Sequence, residues 1–216
     1  MKSLETLNLQ RNNISGPIPS ELGNLNNLSD LRLSENQFTG SVPAIFRNLR
    51  NLQTLHLHTN KLSGSIPKEL AYLVNLEVLT MSQNQFSGHL PNQLFFGIHP
   101  ELLFIDLSDN DFHGELSSNW GKCNNLADLR IARNRIGGSI PPEIGNIQGL
   151  LGLDLSSNHL IGQIPKEFGK LTSLVKLTVQ NNNISGNIPE ELGSLTKLES
   201  LDLSNNGRAL VSVEPE

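Results

Sequence analysis

The sequence carries one cysteine, Cys123, in 216 residues. A single thiol excludes an internal disulfide framework, so the fold must be held by packing and hydrogen bonds alone. No run of Lys or Arg occurs and the formal net charge is −5, which argues against a nucleic-acid or anionic-membrane partner, since either needs a basic face. No apolar run approaches the ~20 residues that cross a bilayer, and Met1-Lys2-Ser3-Leu4 leads straight into the first patterned unit. The expectation is a chain with no signal peptide, no transmembrane segment and no membrane insertion of its own.

What the chain has in abundance is repetition. Leu52-Gln53-Thr54-Leu55-His56-Leu57-His58-Thr59-Asn60-Lys61-Leu62-Ser63-Gly64-Ser65-Ile66-Pro67 recurs in near-copies, with its Asn at Asn12, Asn36, Asn60, Asn84, Asn110, Asn134, Asn158, Asn182 and Asn206. The step is 24 residues except for one of 26, between Asn84 and Asn110. A period in the twenties with this Leu and Asn arrangement predicts a leucine-rich-repeat solenoid.

Within each unit the Leu-x-Leu segment alternates, which points both Leu to one face of a short strand and the residue between them to the other. One unit cannot bury its apolar face, so units must stack, strand beside strand, over a common leucine core. The expected fold is an α/β repeat: a right-handed solenoid of about nine turns over residues 1–206, followed by a non-repeat tail, 207–216. Nine parallel strands at roughly 4.8 Å apiece make a concave sheet about 40 Å long. The Asn falls where the chain leaves the strand, and its amide can satisfy both donors and acceptors of the buried backbone there.

Gly16, Gly40, Gly64, Gly88, Gly114, Gly138, Gly162 and Gly186 share one place in the unit, which reads as a backbone of positive φ or close approach to the next turn. The Pro that follows, as at Pro67, has no N–H to give a sheet and should start the convex side. Spacings such as Pro67-Leu70-Leu73-Leu76 suit 3₁₀ turns better than long α-helices. In the 26-residue unit Leu94, Ile98 and Leu102 step by four, predicting a wider, more α-like turn. Trp120 and Cys123 occupy convex Leu slots and are expected in the core.

The strings Leu62-Ser63-Gly64-Ser65-Ile66-Pro67, Ile14-Ser15-Gly16-Pro17-Ile18-Pro19 and Leu160-Ile161-Gly162-Gln163-Ile164-Pro165 resemble the plant-specific class of leucine-rich repeats. That class occurs in the ectodomains of plant receptor-like kinases and receptor-like proteins and in polygalacturonase-inhibiting proteins. Asn119-Trp120-Gly121-Lys122-Cys123-Asn124-Asn125-Leu126 resembles the male-discoverer-interacting group of receptor-like kinases. The resemblance runs from Leu4 to Asn206. It implies an extracellular or cell-surface parent, a peptide or protein ligand, a leucine-rich-repeat co-receptor, and a role in signalling or defence. It also implies Cys-paired caps, which this sequence lacks; the expectation is a fragment, a truncated product or an engineered array.

Catalytic signatures are not met. Gly162 to Lys170 misses the glycine spacing of a phosphate loop. Asp109-Asn110-Asp111 opens like a calcium loop but places Trp120 where a bidentate acid belongs. His56 and His58 share a strand face, yet the adjoining strands offer Arg32, Ser34, Thr80 and Ser82, which are poor zinc ligands. Neither an enzyme, a cofactor nor a metal site is expected.

The outward columns carry the functional reading. Asp106, Arg130 and Asp154 stand on successive strands and are expected to form an alternating charge ladder. Val78 and Phe104 put apolar surface beside His56, His58, Thr80 and Ser82, the composition of a hot spot for an extended peptide. Some receptors of the resembling class use Arg-x-Arg on the concave face; Arg133-Asn134-Arg135 has that spacing but flanks the inward Asn, so the motif is not carried over. Asn13, Asn27 and Asn183 begin Asn-x-Ser sequons, glycosylated if a parent is secreted. The reading is a ligand-binding ectodomain fragment, with an inhibitor resembling the polygalacturonase-inhibiting proteins, or a structural array without a ligand, as alternatives.

Overall fold

The computed structural model describes residues 3–90, 101–207 and 210–211. Nine three-residue strands, from Thr6–Asn8 to Ser200–Asp202, pair in parallel and in chain order into one sheet. Thr54, Leu55 and His56 stand opposite Val78, Leu79 and Thr80, and those opposite Phe104, Ile105 and Asp106. Because the side-chain period of a strand is two, this register drives Leu55, Leu79, Ile105, Leu129 and Leu153 into the interior together. One continuous apolar cluster follows from Ile18 to Leu195. Each coil is covered by its neighbours: Leu177 is buried, whereas Leu201, at the same place in the last strand, is 44 % exposed.

The asparagines line the inner edge of the coils. The Nδ2 of Asn134 donates to the carbonyls of Leu107 at 3.0 Å and of Ile131 and Ala132 at 3.2 Å, and its Oδ1 accepts from the Phe112 N–H at 3.1 Å. The same bond to the preceding coil recurs at Asn36, Asn60, Asn84, Asn110, Asn158, Asn182 and Asn206.

Two backbone features lie outside the sequence expectation. The residue before each ladder Asn is left-handed although none is glycine, with φ between 52° at Arg133 and 59° at Arg11. Such a conformation costs roughly 1–2 kcal/mol, which the several hydrogen bonds of the following Asn offset. The segment after each Asn is also more than a connector. Ser15–Pro17, Gln37–Gly40, Lys61–Gly64, Gln85–His89, Asp111–Glu115 and Arg135–Gly137 form a second, six-stranded parallel sheet on the flank of the solenoid. The eight repeat glycines, five of them in this sheet, have φ from 69° to 90°, as their recurrence predicts.

Across the convex side run seven five-residue 3₁₀ helices among the described residues, from Ser20–Asn24 to Glu190–Ser194. Six are preceded by Pro in extended conformation, which ends the lateral strand and needs no N–H partner. The seventh, Ser118–Lys122, is preceded by Ser117, whose hydroxyl instead accepts the N–H of Asn119 at 3.2 Å. The wide turn expected around Leu94 and Ile98 lies outside the described residues. Beyond Asn206 the chain makes one more strand, Leu210–Val211, parallel to Gly186–Asn187. No described helix is long and apolar enough to cross a membrane.

Trp120 and Cys123 are both core residues. Burial pushes the Cys123 thiol from 9.0 up to about 11. The folded chain therefore holds this proton more tightly than the unfolded chain. Its contribution is fully present below pH 9 and is lost as pH rises from about 9 toward 11. Thiol reagents at pH 7.5 should label Cys123 only as the coil opens, with full labelling in denaturant. Rapid native labelling would show the site to be solvated.

Candidate ligand-binding face

The concave face is assembled from strand residues whose side chains point away from the core. His56 is half-buried, with Nδ1 2.9 Å from the Thr80 hydroxyl. Desolvation, followed by the charges of His58 and Arg32, lowers its pKa below the ordinary imidazole value, which favours the neutral ring. Its ring meets that of His58 edge-on at 6.0 Å, and His58 turns its Nδ1 to Thr59, at 3.2 Å. Thr80 and Ser82, expected as surface donors, each keep only 8 % of their area; the Thr80 hydroxyl is already engaged by His56.

Phe104 and Val78 are adjacent across paired strands and both half-buried. The Arg130 guanidinium lies 5.0 Å above the Phe104 ring, a cation–π roof over the apolar spot. Arg130 does not bridge Asp106 and Asp154, which corrects the expected ladder. It forks onto Asp128 on its own strand, Nε to Oδ1 at 3.0 Å and Nη2 to Oδ2 at 2.7 Å. Asp106 Oδ1 accepts instead from the Ser108 N–H at 3.0 Å, and Asp154 Oδ1 from the Ser156 N–H at 3.0 Å and hydroxyl at 2.6 Å. A short aspartate satisfies a backbone N–H two residues on more readily than it spans to the next strand. Both still act on Arg130 through space; the Asp128 hydrogen bond is the larger cause of its raised pKa.

A depression of about 390 Å³ joins Asp106, Arg130 and Asp154 to Asp128, Arg133, Leu151, Val175 and Lys176. Ser82 lines it, but His56, His58, Val78, Thr80 and Phe104 do not; the nominated residues thus fall into two adjoining parts. Asp128 escaped nomination although its signal was present: Asp-Leu-Arg occurs twice, and Asp30-Leu31-Arg32 makes the same fork, Nε to both carboxylate oxygens at 3.0 Å. Arg133 and Arg135, the Arg-x-Arg pair, are already ion-paired to Asp109 and Asp111 of the preceding coil. Asn13, Asn27 and Asn183 are all exposed.

A family model described as leucine rich repeat matches residues 26–86, 124–184 and 148–207, and a second of the same description matches 3–25. The chain belongs to the leucine-rich-repeat family. Among solved structures, this leucine-rich-repeat chain is 38 % identical, at a TM-score of 0.93, to the ectodomain of the plant membrane receptor kinase GASSHO1/SCHENGEN3 from Arabidopsis thaliana in complex with CASPARIAN STRIP INTEGRITY FACTOR 2. It is 40 % identical, at 0.90, to PEPR1 in the PEPR1-AtPEP1 structure. These matches cover 95 % and 94 % of this chain but only 24 % and 28 % of the receptor chains. A plant ice-binding protein is 26 % identical at a TM-score of 0.67, with 76 % of its length covered. A search of curated proteins finds no match.

Proposed function

We propose that this chain is a non-enzymatic recognition module of the plant receptor-like type, binding a peptide or protein ligand on its concave sheet in signalling or immunity. The observation that carries the reading is the Phe104 ring beneath Arg130, an aromatic and a guanidinium at the centre of a face whose side chains are already held by internal bonds. Preordered side chains lose little entropy on association. The two receptor structures, one solved with CASPARIAN STRIP INTEGRITY FACTOR 2 and one with AtPEP1, support a ligand for this stretch of repeats. The ice-binding neighbour is a reminder that one fold serves several ends, so the site must be tested directly.

In this reading His56, His58, Val78, Phe104, Asp106, Arg130 and Asp154 contact the ligand, Thr80 and Ser82 stiffen the face, and a leucine-rich-repeat co-receptor is a second partner. The parent is extracellular or at the cell surface, and Asn13, Asn27 and Asn183 carry glycans there. A ligand recovered by pull-down from plant cell-wall extract should bind Phe104→Ala about 5- to 30-fold more weakly, roughly 1–2 kcal/mol, and His56→Ala more weakly too, with thermal stability nearly unchanged. Equal affinity in both variants moves the site elsewhere. Stoichiometric loss of pectinase activity on mixing would favour the inhibitor alternative.

A further inference from the structure

The lateral sheet brings together two histidines that lie 24 residues apart in the chain, His89 at the end of Gln85–His89 and His113 within Asp111–Glu115. They are opposite one another across the parallel pairing, both exposed, with ring centres 4.8 Å apart and planes at 66°. Gly114 makes this approach possible: a Cβ there would stand 2.5 Å from His89 Cδ2, so the ring rests where only a glycine leaves room.

We propose that His89 and His113 form a two-imidazole site for a divalent transition-metal ion of the zinc, nickel or copper kind. With metal–nitrogen bonds of about 2.0–2.1 Å, two imidazoles on one ion hold their ring centres about 4.5–5.2 Å apart for angles between right-angled and tetrahedral. The 4.8 Å of His89 and His113 falls inside that interval. The 6.0 Å of His56 and His58 falls outside it. Exposed imidazoles can turn at χ2 to aim a nitrogen at a shared point. The nearby charges permit a cation: Arg135, opposite His113, is neutralised by Asp111, and the same strand carries a further carboxylate at Glu115. Among the described residues no cluster of three His, Cys, Asp or Glu ligands exists. The remaining coordination positions would be open to water or to a group from another molecule, as suits a recruiting site better than a structural one.

Zinc chloride alone, titrated into the full chain at pH 7.5 and followed by calorimetry and by the histidine NMR resonances, tests this. The expected result is one-to-one binding in the micromolar range with the His89 and His113 signals moving together. His89→Ala and His113→Ala should each weaken it by about tenfold or more, since losing one ligand removes the effective concentration that pairing supplies. His159→Ala, an isolated exposed histidine of the same flank, should bind as the parent does. Circular dichroism and an unchanged melting temperature verify that the variants are folded. Undiminished affinity in His113→Ala, or shifts confined to other histidines, would overturn the assignment.

Discussion

Replacing Asn134 with Leu is expected to lower stability by about 3–5 kcal/mol. The Phe112 N–H, now bound to Asn134 Oδ1, would have no acceptor in a buried place, at about 1–3 kcal/mol. The carbonyls of Leu107, Ile131 and Ala132 would each lose a donor, but each keeps another: Asn110 Nδ2, Asn158 Nδ2 and the Asp109 N–H respectively. Their loss therefore adds only about 0.5–1.5 kcal/mol apiece at most. The left-handed Arg133, with φ of 52°, would keep its strain without the bonds that offset it.

The outermost coil supplies the control. Asn12 is exposed and bonds only the carbonyls of Leu9 and Gln10, so Asn12→Leu should cost about 1 kcal/mol or less. Asn134→Asp keeps the bond from Phe112 but turns a carboxylate oxygen toward three carbonyls. It should be as damaging as Leu at pH 7 and milder at low pH, where the protonated acid again donates. Urea midpoints read by circular dichroism decide it: equal shifts for Asn134→Leu and Asn12→Leu would mean that the ladder is not what closes the coils.

Much of the architecture is visible in the sequence because the chain states it nine times. A Leu at one period-24 position is weak evidence, and the same Leu in every coil is strong, so the sheet, the Asn column and the glycine conformation all emerge. The left-handed residue before each Asn does not, because it is occupied by Arg, Glu, Thr, Gln, Asp, Ser and Asn in turn. The backbone sets that conformation and its side chains carry no mark of it. The lateral strands are hidden for a related reason: they are only two to five residues long and contain the glycine that usually signals a turn. At the concave face alternation identifies which residues point outward but not which partners they choose. Arg130 selects Asp128 over Asp106 and Asp154 because the latter two are claimed by the backbone N–H groups of Ser108 and Ser156.

A second glycine column, overlooked in the repeat pattern, controls how closely the convex helices stack, and it leads to the other large expected effect. Gly121 sits in Ser118–Lys122, where an added Cβ would come 2.2 Å from the Glu143 carbonyl oxygen of the next coil; at Gly145 the corresponding approach to Glu167 is 2.4 Å. Neither atom is the tip of a flexible side chain, so the coils themselves must separate. Gly121→Ala and Gly145→Ala should therefore each cost about 2–3 kcal/mol, despite the better intrinsic helix preference of alanine. Gly193 holds the same place in the last described helix and has nothing within 4 Å of its would-be Cβ. There Gly193→Ala should be neutral or stabilising by about 0.4–1 kcal/mol, through the unfolded chain's lost freedom. Coils that carry Arg47 and Ala71 at this place show that the position can hold a side chain when the spacing is set for one. The opposite signs of two identical substitutions, measured by urea unfolding, isolate coil-to-coil contact from helix propensity, and matching signs at Gly121 and Gly193 would refute it.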